Sequence, residues 1–263
     1  MTTSETPTVG LFATCLVDLY RPAVGFAAAA LLERAGCRVE VPPRQVCCGQ
    51  PAYNSGDRRT AEAIARPTVA LFESFDYVVA PSGSCAGMLK CHYPDLLAGD
   101  AAWADRAARF AEKCWELTAF LVDVRGWTPD DVSWQGTAAY HDSCSSLREH
   151  DVSEQPRALL AKVRGADVRE LDAADVCCGF GGTFCVKYPE VSGAMVDRKV
   201  DDIAATGADT VLAGDLGCLM NIAGRLSRRG LDIRARHVAE VLAGMADGPA
   251  IGEGPGGTGG GDG

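Results

Sequence analysis

The sequence predicts an α/β protein that consists of two duplicated units, each with a mainly parallel sheet. Short apolar segments alternate with longer helical ones along the chain, which is typical of strands connected by helices. One of these segments has Pro22 at its start and Gly36 just past its end, as helices do. A pattern of cysteines also occurs twice in the same order, which indicates an internal repeat.

The repeated pattern is a lone cysteine, then Cys-Cys-Gly, then a third cysteine position. The first set is Cys15, Cys47, Cys48 and Cys85, and the second set is Cys144, Cys177, Cys178 and Cys218. Because the intervals within the two sets are nearly equal, we expect two copies of one fold, at 1–128 and 129–246. The segment 126–136 is the predicted linker between them.

The first unit is expected to hold strands at 9–14, 38–41 and 77–80. A helix should begin at Pro22 and end before Gly36, and another should cover 57–74 with a kink at Pro67. The apolar spacing at 101–124 predicts one long helix with Cys114 inside it.

The second unit repeats this order, with strands expected at 137–142, 167–171 and 210–213 and helices at 153–164 and 190–206. In both units, the cysteines of the pattern fall at or just beyond the carboxyl ends of predicted strands, where sites form in parallel sheets. The final segment, 247–263, is dominated by glycine and is predicted to be disordered.

Composition narrows the class of function. The 263 residues carry a net charge of -10, and the sequence pI is about 4.9. This charge argues against nucleic-acid binding, and no apolar segment is long enough for direct membrane insertion. The first residues lack the pattern of a secretory signal, so we expect a cytoplasmic protein. In a reducing compartment, clustered cysteines indicate metal or redox chemistry rather than disulfides.

Each cysteine set is therefore predicted to hold an iron–sulfur cluster, of the [4Fe–4S] type and one per unit. Adjacent cysteines face one cluster only if the backbone turns sharply, and Gly49 and Gly179 permit that turn. Gly83 and Gly217 would allow the backbone to approach a cluster and donate N–H groups to sulfide. These four glycines are the expected cofactor-binding residues, and no catalytic residue is identified.

Zinc and purely structural roles remain as alternatives, although the chain has no C-x-x-C pair of the kind that zinc sites favour. Cys37 and Cys114 have no counterpart in the repeat and are expected to be buried apolar residues. Cys91 and Cys185 are also unrepeated, and a ligand or redox role for them stays open. The glycine-rich segment 179–182 is expected to wrap a cluster.

The histidines are few, and their roles are open at this point. His141 either donates a hydrogen bond or moves a proton near a cluster, or is satisfied at a strand end. Asp142 is an alternative cap for the following helix, and His92 is as ambiguous as His141. His150 and His237 are expected at the surface or at helix starts.

Longer motifs surround these cysteines. They are Cys47-Cys48-Gly49-Gln50-Pro51, Pro81-Ser82-Gly83-Ser84-Cys85, His141-Asp142-Ser143-Cys144, 177–184 (CCGFGGTF) and 214–220 (GDLGCLM). With these motifs the chain resembles the Cys-Cys-Gly cysteine-rich domain family from Val9 to about Met245. That family includes the Cys-Cys-Gly subunit of heterodisulfide reductase and the glycolate oxidase iron–sulfur subunit, and the resemblance is greatest to its lactate-utilization members.

The resemblance implies an iron–sulfur redox subunit of a complex that oxidises L-lactate to pyruvate. It also implies two partners, a ferredoxin-type iron–sulfur subunit and a further small subunit. In the reductase each third cysteine position is a C-x-x-C pair, whereas here its first member is Ser82 or Asp215. Asp215 would offer an oxygen ligand in place of that cysteine. The alternatives are a heterodisulfide or thiol-disulfide reductase and an electron-transfer subunit of a glycolate oxidase-like enzyme.

Overall fold

The computed structural model describes residues 6–254 and contains two four-stranded parallel sheets. The strands of the first sheet are β1 (Thr8–Leu11), β2 (Arg38–Glu40), β3 (Tyr77–Ala80) and β4 (Cys114–Glu116). Those of the second are β5 (Ser133–His141), β6 (Arg164–Arg169), β7 (Thr210–Ala213) and β8 (Arg234–His237). The strand orders, β2-β1-β3-β4 and β6-β5-β7-β8, are equivalent. The predicted fold class and duplication are confirmed.

Helices follow every strand. In the first unit they are α1 (Cys15–Tyr20), α2 (Pro22–Arg34), α3 (Gln50–Asn54), α4 (Arg58–Phe72), α5 (Gly83–Gly87), α6 (Tyr93–Leu97), α7 (Ala104–Glu112) and α8 (Leu117–Ala119). In the second they are α9 (Cys144–His150), α10 (Glu154–Leu160), α11 (Phe184–Lys187), α12 (Pro189–Ala205), α13 (Leu216–Arg228) and α14 (Val238–Ala243). Two π-helical turns, Met88–His92 and Phe120–Val124, lie between α5 and α6 and after α8.

The single long helix predicted at 101–124 is wrong. Strand β4 interrupts it, so Cys114 lies in a strand, although it is buried as expected. Val78 and Ala80 of β3 pair with Cys114 and Glu116 of β4. These partners are distant in sequence, so the apolar spacing within 101–124 does not reveal the three-residue strand. The equivalent outer strand of the second sheet, β8, is also absent from the predicted elements.

The two units share a central apolar core. Its buried residues come from β1, α2 and α8 of the first unit and from β5, α10 and α14 of the second, with Leu31 and Val241 both fully buried. Separate clusters line the outer faces, one against α4, α6 and α7 and one against α12 and α13. Because the central core draws on both units, burial of its apolar surface stabilises their association. Their division at 128/129 stays a prediction.

The end of the described chain packs against the second sheet. Ala250 is buried, and the Ile251 N–H donates to the carbonyl of Ala235 in β8 at 2.9 Å. Residues 247–254 therefore belong to the folded structure, unlike the disorder predicted for 247–263. The rest of that predicted segment, 255–263, lies outside the described residues. Within residues 6–254, no helix has the length and apolar character needed to cross a membrane.

Candidate iron–sulfur centres

The strand order explains how distant cysteines meet. In each sheet the first strand lies between the second and third, so the chain leaves it in opposite directions and a crevice forms at the carboxyl ends of the first and third strands. Cys15 follows β1 and Cys85 follows β3, at the start of α1 and within α5. Cys144 and Cys218 occupy the equivalent places beyond β5 and β7. The Cys-Cys pairs lie in the loops after β2 and β6.

The four cysteines of the first set converge. The sulfurs of Cys15 and Cys47 are 3.8 Å apart, and the thiol of Cys48 contacts both Cys47 and Cys85. Hydrogen bonds from Cys15 and Cys48 lower the pKa of Cys47 to about 2, and the same contact with Cys47 raises the pKa of Cys15. The neighbouring thiols thus stabilise one thiolate, while ionisation of all four requires a cationic partner.

The second set has the same arrangement. The thiol of Cys177 contacts Cys144 and Cys178, and Cys178 contacts Cys218. Hydrogen bonds from Cys144 and Cys178 lower the pKa of Cys177 to about 2, whereas those thiols have raised pKa values. Each predicted set of four is therefore brought together within its own unit.

The glycine after each cysteine pair makes the turn that brings both thiols to one side. Gly49 has φ of 85° and Gly179 has φ of 82°, a backbone region that favours glycine. Their N–H groups donate to the sulfurs of Cys47 and Cys177 at 3.5 and 3.3 Å. Both glycines therefore support a thiolate directly.

Gly83 and Gly217 both permit close packing. The predicted donation to sulfide stays a prediction for Gly83, whereas the Gly217 N–H already has an acceptor. A β-carbon at Gly83 would overlap Ser146 of α9, and one at Gly217 would overlap the ring of Phe180. The Gly217 N–H donates to Asp215 Oδ1 at 3.1 Å. These glycines allow close packing beside the cysteine sets.

Ser82 and Asp215 connect the two units. Asp215 Oδ2 accepts hydrogen bonds from Ser82 Oγ at 2.9 Å and from the N–H and Oγ of Ser84 at 3.0 and 2.7 Å. Its Oδ1 accepts the N–H groups of Gly217 and Cys218. Ser82 accepts from the Cys85 N–H and caps α5. With both oxygens accepting these bonds, the Asp215 carboxylate caps α13 and joins it to α5, which differs from a role as oxygen ligand.

A cavity of about 260 Å³ lies beside the first set. All four cysteines of that set line it, together with Asp215 and with Phe180 and Thr183 from the segment that follows the second Cys-Cys pair. The glycine-rich segment of the second unit thus reaches the site of the first. Among the described residues that line the cavity, none is a cysteine of the second set.

His141 lies beside the second set. Its imidazole is fully buried, and a ring nitrogen lies within 4.8 Å of the sulfurs of Cys178 and Cys218. Neither ring nitrogen has a hydrogen-bond partner among the described residues. Burial lowers the pKa of His141 to about 4, so the ring is neutral near pH 7. A buried polar group without a partner is costly, so the ring is suited to a group bound at this site.

The helix cap predicted as an alternative for Asp142, at the same strand end, is supplied by its neighbour. Ser143, not Asp142, caps α9 by accepting the Ser146 N–H. Asp142 forms a two-pronged ion pair with Arg157 at 2.8 and 3.0 Å. This pair fixes the loop after β5 next to Cys144.

His237 lies at a helix start, one of the two positions expected for it, whereas His150 lies at a helix end. His237 is fully buried, caps α14 and lies 3.2 Å from the Pro81 carbonyl oxygen of the first unit. His150 ends α9 and has a buried Nε2. His92 lies 3.6 Å from Glu149, the residue before His150. Both His92 and His150 therefore lie at the junction of the two units.

Two of the remaining cysteines, Cys37 and Cys185, have contacts other than the cysteines of the two sets. Cys37 is buried within the central core, as expected. Cys185 is half-buried, and its thiol donates to the Gly182 carbonyl at 3.3 Å.

Sequence reasoning missed Glu116, which ends β4. It is buried, and its Oε2 accepts the N–H groups of Thr118 and Ala119. Burial raises the pKa of Glu116 to about 7, and the charge of Asp215 adds to this increase. A single acidic residue within an apparent helix gives no sequence signal of this environment.

Comparison with known proteins agrees with this arrangement. The family model described as "CCG: Cysteine-rich domain" matches residues 9–90 and 138–223, one match in each unit. Lactate utilization protein A of Macrococcus caseolyticus is 50% identical over 234 residues, covering 89% of this chain and 95% of the relative. The protein of that name from Bacillus cytotoxicus is 49% identical, covering 89% and 98%.

Among solved structures, a hypothetical protein from Helicobacter pylori shares the fold. The TM-score is 0.65 with 10% sequence identity, and the match covers 94% of this chain but 52% of that one. At this identity the likeness concerns the fold alone.

Proposed function

Because the chain belongs to the CCG cysteine-rich domain family, we propose that it is an iron–sulfur protein that relays electrons from the oxidation of L-lactate to pyruvate. Each unit holds one [4Fe–4S]-type cluster in this proposal. The observation that supports this proposal most strongly is the convergence of four thiols in each unit. The names of the relatives supply the metabolic context.

The donor sets suit a cluster on three grounds. Four thiols meet in each unit, and [4Fe–4S] clusters are held by four thiolates. Cys15 and Cys144 begin helices, where the helix dipole favours a thiolate. Gly49 and Gly179 donate N–H groups to sulfur, as donors around such clusters do to set their potential. Such a cluster, when bound, supplies one-electron transfer.

The electron donor is proposed to be a partner subunit. Within residues 6–254, no dinucleotide-binding G-x-G-x-x-G motif lies between a strand and the helix that follows it, and the sequence has no P-loop that would bind a nucleotide. A ferredoxin-type iron–sulfur subunit and a further small subunit complete the complex in this proposal. The proposed complex is cytoplasmic, and this chain passes electrons between its other subunits.

A disulfide reductase is the second candidate, and the cavity beside the first set favours it. A disulfide substrate bound there would lie next to Cys15, Cys47, Cys48 and Cys85. The positions of Ser82 and Asp215 count against it, because their side chains are engaged with each other instead of supplying further thiols. Turnover of a disulfide with reduced viologen by cluster-loaded protein would favour this candidate over electron relay.

The first test is anaerobic purification followed by iron, sulfide and EPR measurements. We expect about four iron atoms and four sulfides per unit, and a reduced signal typical of [4Fe–4S] clusters. Protein that contains stoichiometric zinc without sulfide would contradict the proposal. A matched Cys37→Ser variant should load as the original protein does, because Cys37 lies outside both sets.

The second test concerns the electron source. The chain should be produced with the proteins encoded beside it, and reduction of its clusters by L-lactate should be followed at the cluster absorbance. We expect reduction by L-lactate in the assembled complex but not with the chain alone. Reduction by glycolate and not by L-lactate would replace lactate by glycolate as the donor and contradict the proposed substrate.

A further inference from the structure

A second group of metal-binding side chains lies at the junction of the two units, outside both cysteine sets. We propose that Cys91, Glu149 and His150 bind one divalent transition-metal ion, with Zn²⁺ the metal that suits them best. One ligand atom from each residue lies within 4.8 Å of the others. Cys91 belongs to the first unit, and the other two belong to the second.

The local structure aims these side chains at one another. Cys91 lies in the π-helical turn Met88–His92, and Glu149 and His150 form the end of α9. Helix α9 packs against α5, and Gly87 makes the approach possible because a β-carbon there would overlap the Glu149 carboxylate. The Cys91 thiol lies 3.6 Å from the Glu149 carbonyl oxygen, close to the same turn. π-Helical turns are frequent at functional sites.

Two of the proposed ligand atoms are otherwise unsatisfied. Glu149 Oε2 and His150 Nε2 are buried and have no hydrogen-bond partner among the described residues. Leaving a buried carboxylate oxygen and an imidazole nitrogen unpaired is unfavourable. A metal ion bound between them would satisfy both atoms at once.

Charge balance also fits a divalent cation. A Cys91 thiolate and the Glu149 carboxylate together carry two negative charges, and neutral His150 adds none. The nearby Lys90 ammonium is directed away, to the carbonyl of Cys114 at 3.2 Å and over the ring of Trp115. His92 Nε2 lies 3.6 Å from Glu149 Oε2, beyond hydrogen-bond distance, so this oxygen stays available to a metal ion.

The ligand chemistry selects the metal class. One sulfur, one imidazole nitrogen and one carboxylate oxygen suit Zn²⁺, which accepts all three and prefers four ligands. A single thiol cannot hold an iron–sulfur cluster, and Mg²⁺ or Ca²⁺ would prefer oxygen ligands alone. Three protein ligands leave a fourth position for water. The ion would connect the π-helical turn of the first unit to α9 of the second.

Metal analysis of the cluster-loaded protein tests this site independently of the clusters. After equilibration with one equivalent of Zn²⁺ under anaerobic conditions and desalting, we expect about one zinc per chain bound through one sulfur and two or three nitrogen or oxygen atoms by X-ray absorption. Cys91→Ser should lower zinc affinity by more than about tenfold, with iron and sulfide unchanged. Cys185→Ser is the matched control and should keep the zinc.

The outcomes separate the two proposals. No retained zinc in the original protein, or unchanged zinc affinity in both Cys91→Ser and Glu149→Gln, would overturn the junction site. Zinc coordinated by four sulfurs would also overturn it, because the ion would then occupy a cysteine set. Absence of iron and sulfide with zinc in a one-sulfur environment would instead overturn the iron–sulfur proposal and leave the junction site supported.

Discussion

The two cysteine sets are equivalent in the arrangement of their thiols and different in their surroundings. The register of the sheets makes Phe12 of the first unit equivalent to His141 of the second, since each follows a strand residue that pairs with the third strand. Phe12 belongs to the apolar cluster that includes Cys48 and Cys85, whereas His141 places a ring nitrogen within 4.8 Å of the sulfurs of Cys178 and Cys218. Only the first set lines the described cavity at the junction.

This comparison shows where the duplicated units diverge. The four thiols and the following glycine are the same in both, so each unit can hold the same kind of group. The residues just outside the four thiols differ. Ser82 and Asp215 occupy equivalent positions at the third strand end, and Glu116 and His237 do so at the fourth. Because such outer groups set potential and access, the two centres should differ in those properties while sharing a cluster type.

The largest expected effect tests whether the two centres load independently. Cys48→Ser and Cys178→Ser each remove one thiol from one set and should each lower the iron content by about half. Iron and sulfide analysis of anaerobically purified variants measures this directly. Loss of all iron in either variant would show that the centres form only together, and the comparison of two separate sites would then be wrong.

The next effect contrasts Asp215 with Ser82, which stand at equivalent positions. Asp215→Ala removes a carboxylate that accepts five hydrogen bonds and leaves buried donors unpaired, so we expect a stability loss of about 3 kcal/mol or more. Ser82→Ala should cost about 1 kcal/mol through its lost cap. Anaerobic thermal unfolding of both variants gives the comparison. Equal losses would mean that Asp215 is not the main connection between the units.

A third contrast concerns pH and the equivalent positions Glu116 and His237. The pKa of Glu116 rises on folding from 4.5 to about 7, chiefly through burial. Its contribution to stability is therefore fully present below pH 4.5 and lost as pH rises to about 7, a loss of about 3 kcal/mol by linkage. Glu116→Gln should remove this loss and stabilise the protein at pH 7. Unfolding measured between pH 4.5 and 7 tests the slope.

His237 should show the opposite dependence. Burial lowers the pKa of His237 below its usual 6.5, so the unfolded chain binds a proton more readily. Its contribution is present above pH 6.5 and is lost as pH falls below that value. In a Glu116→Gln background, the residual pH dependence should therefore be a loss of stability toward acid. A Glu116→Gln variant that still loses stability as pH rises from about 5 to 7 would contradict the assignment to Glu116.

Much of the fold could be predicted because its signals are local. The strands at 77–80 and 210–213 are apolar and β-branched, and the structure places β3 and β7 at the same bounds. The helix at Pro22 begins and ends as its proline and glycine indicate. The cysteine sets could be predicted because parallel strands bring their carboxyl ends to one edge.

The rest depends on contacts distant in sequence. Strand β4 has three residues between helical segments, and only pairing with β3 reveals it. The bond between Ser82 and Asp215 joins residues 133 positions apart, and the orphaned nitrogens of His141 become visible only when neighbouring side chains are placed. The sequence alone therefore leaves Asp215 as a candidate ligand, whereas packing of the two units makes it a cap.

The smallest and most specific effect concerns His141 and Phe12. A hydrogen bond from His141 to a cluster at the second set would stabilise the negative charge of the reduced cluster by about 1 kcal/mol. For one electron, this raises the reduction potential of the cluster by roughly 40 mV. His141→Phe gives the second unit the side chain of the first and should lower only the potential of the second centre. Redox titration followed by EPR measures this shift in a Cys48→Ser background, where the first centre is absent.

The reciprocal control uses the first unit. His141→Phe measured in a Cys178→Ser background should leave the potential of the first centre unchanged, because the imidazole lies beside Cys178 and Cys218 of the second set. A shift of both centres would mean that the substitution acts through the shared core. No shift in either would mean that the unpaired nitrogens of His141 do not face the bound group, and the difference between the two centres would then rest on the cavity beside the first.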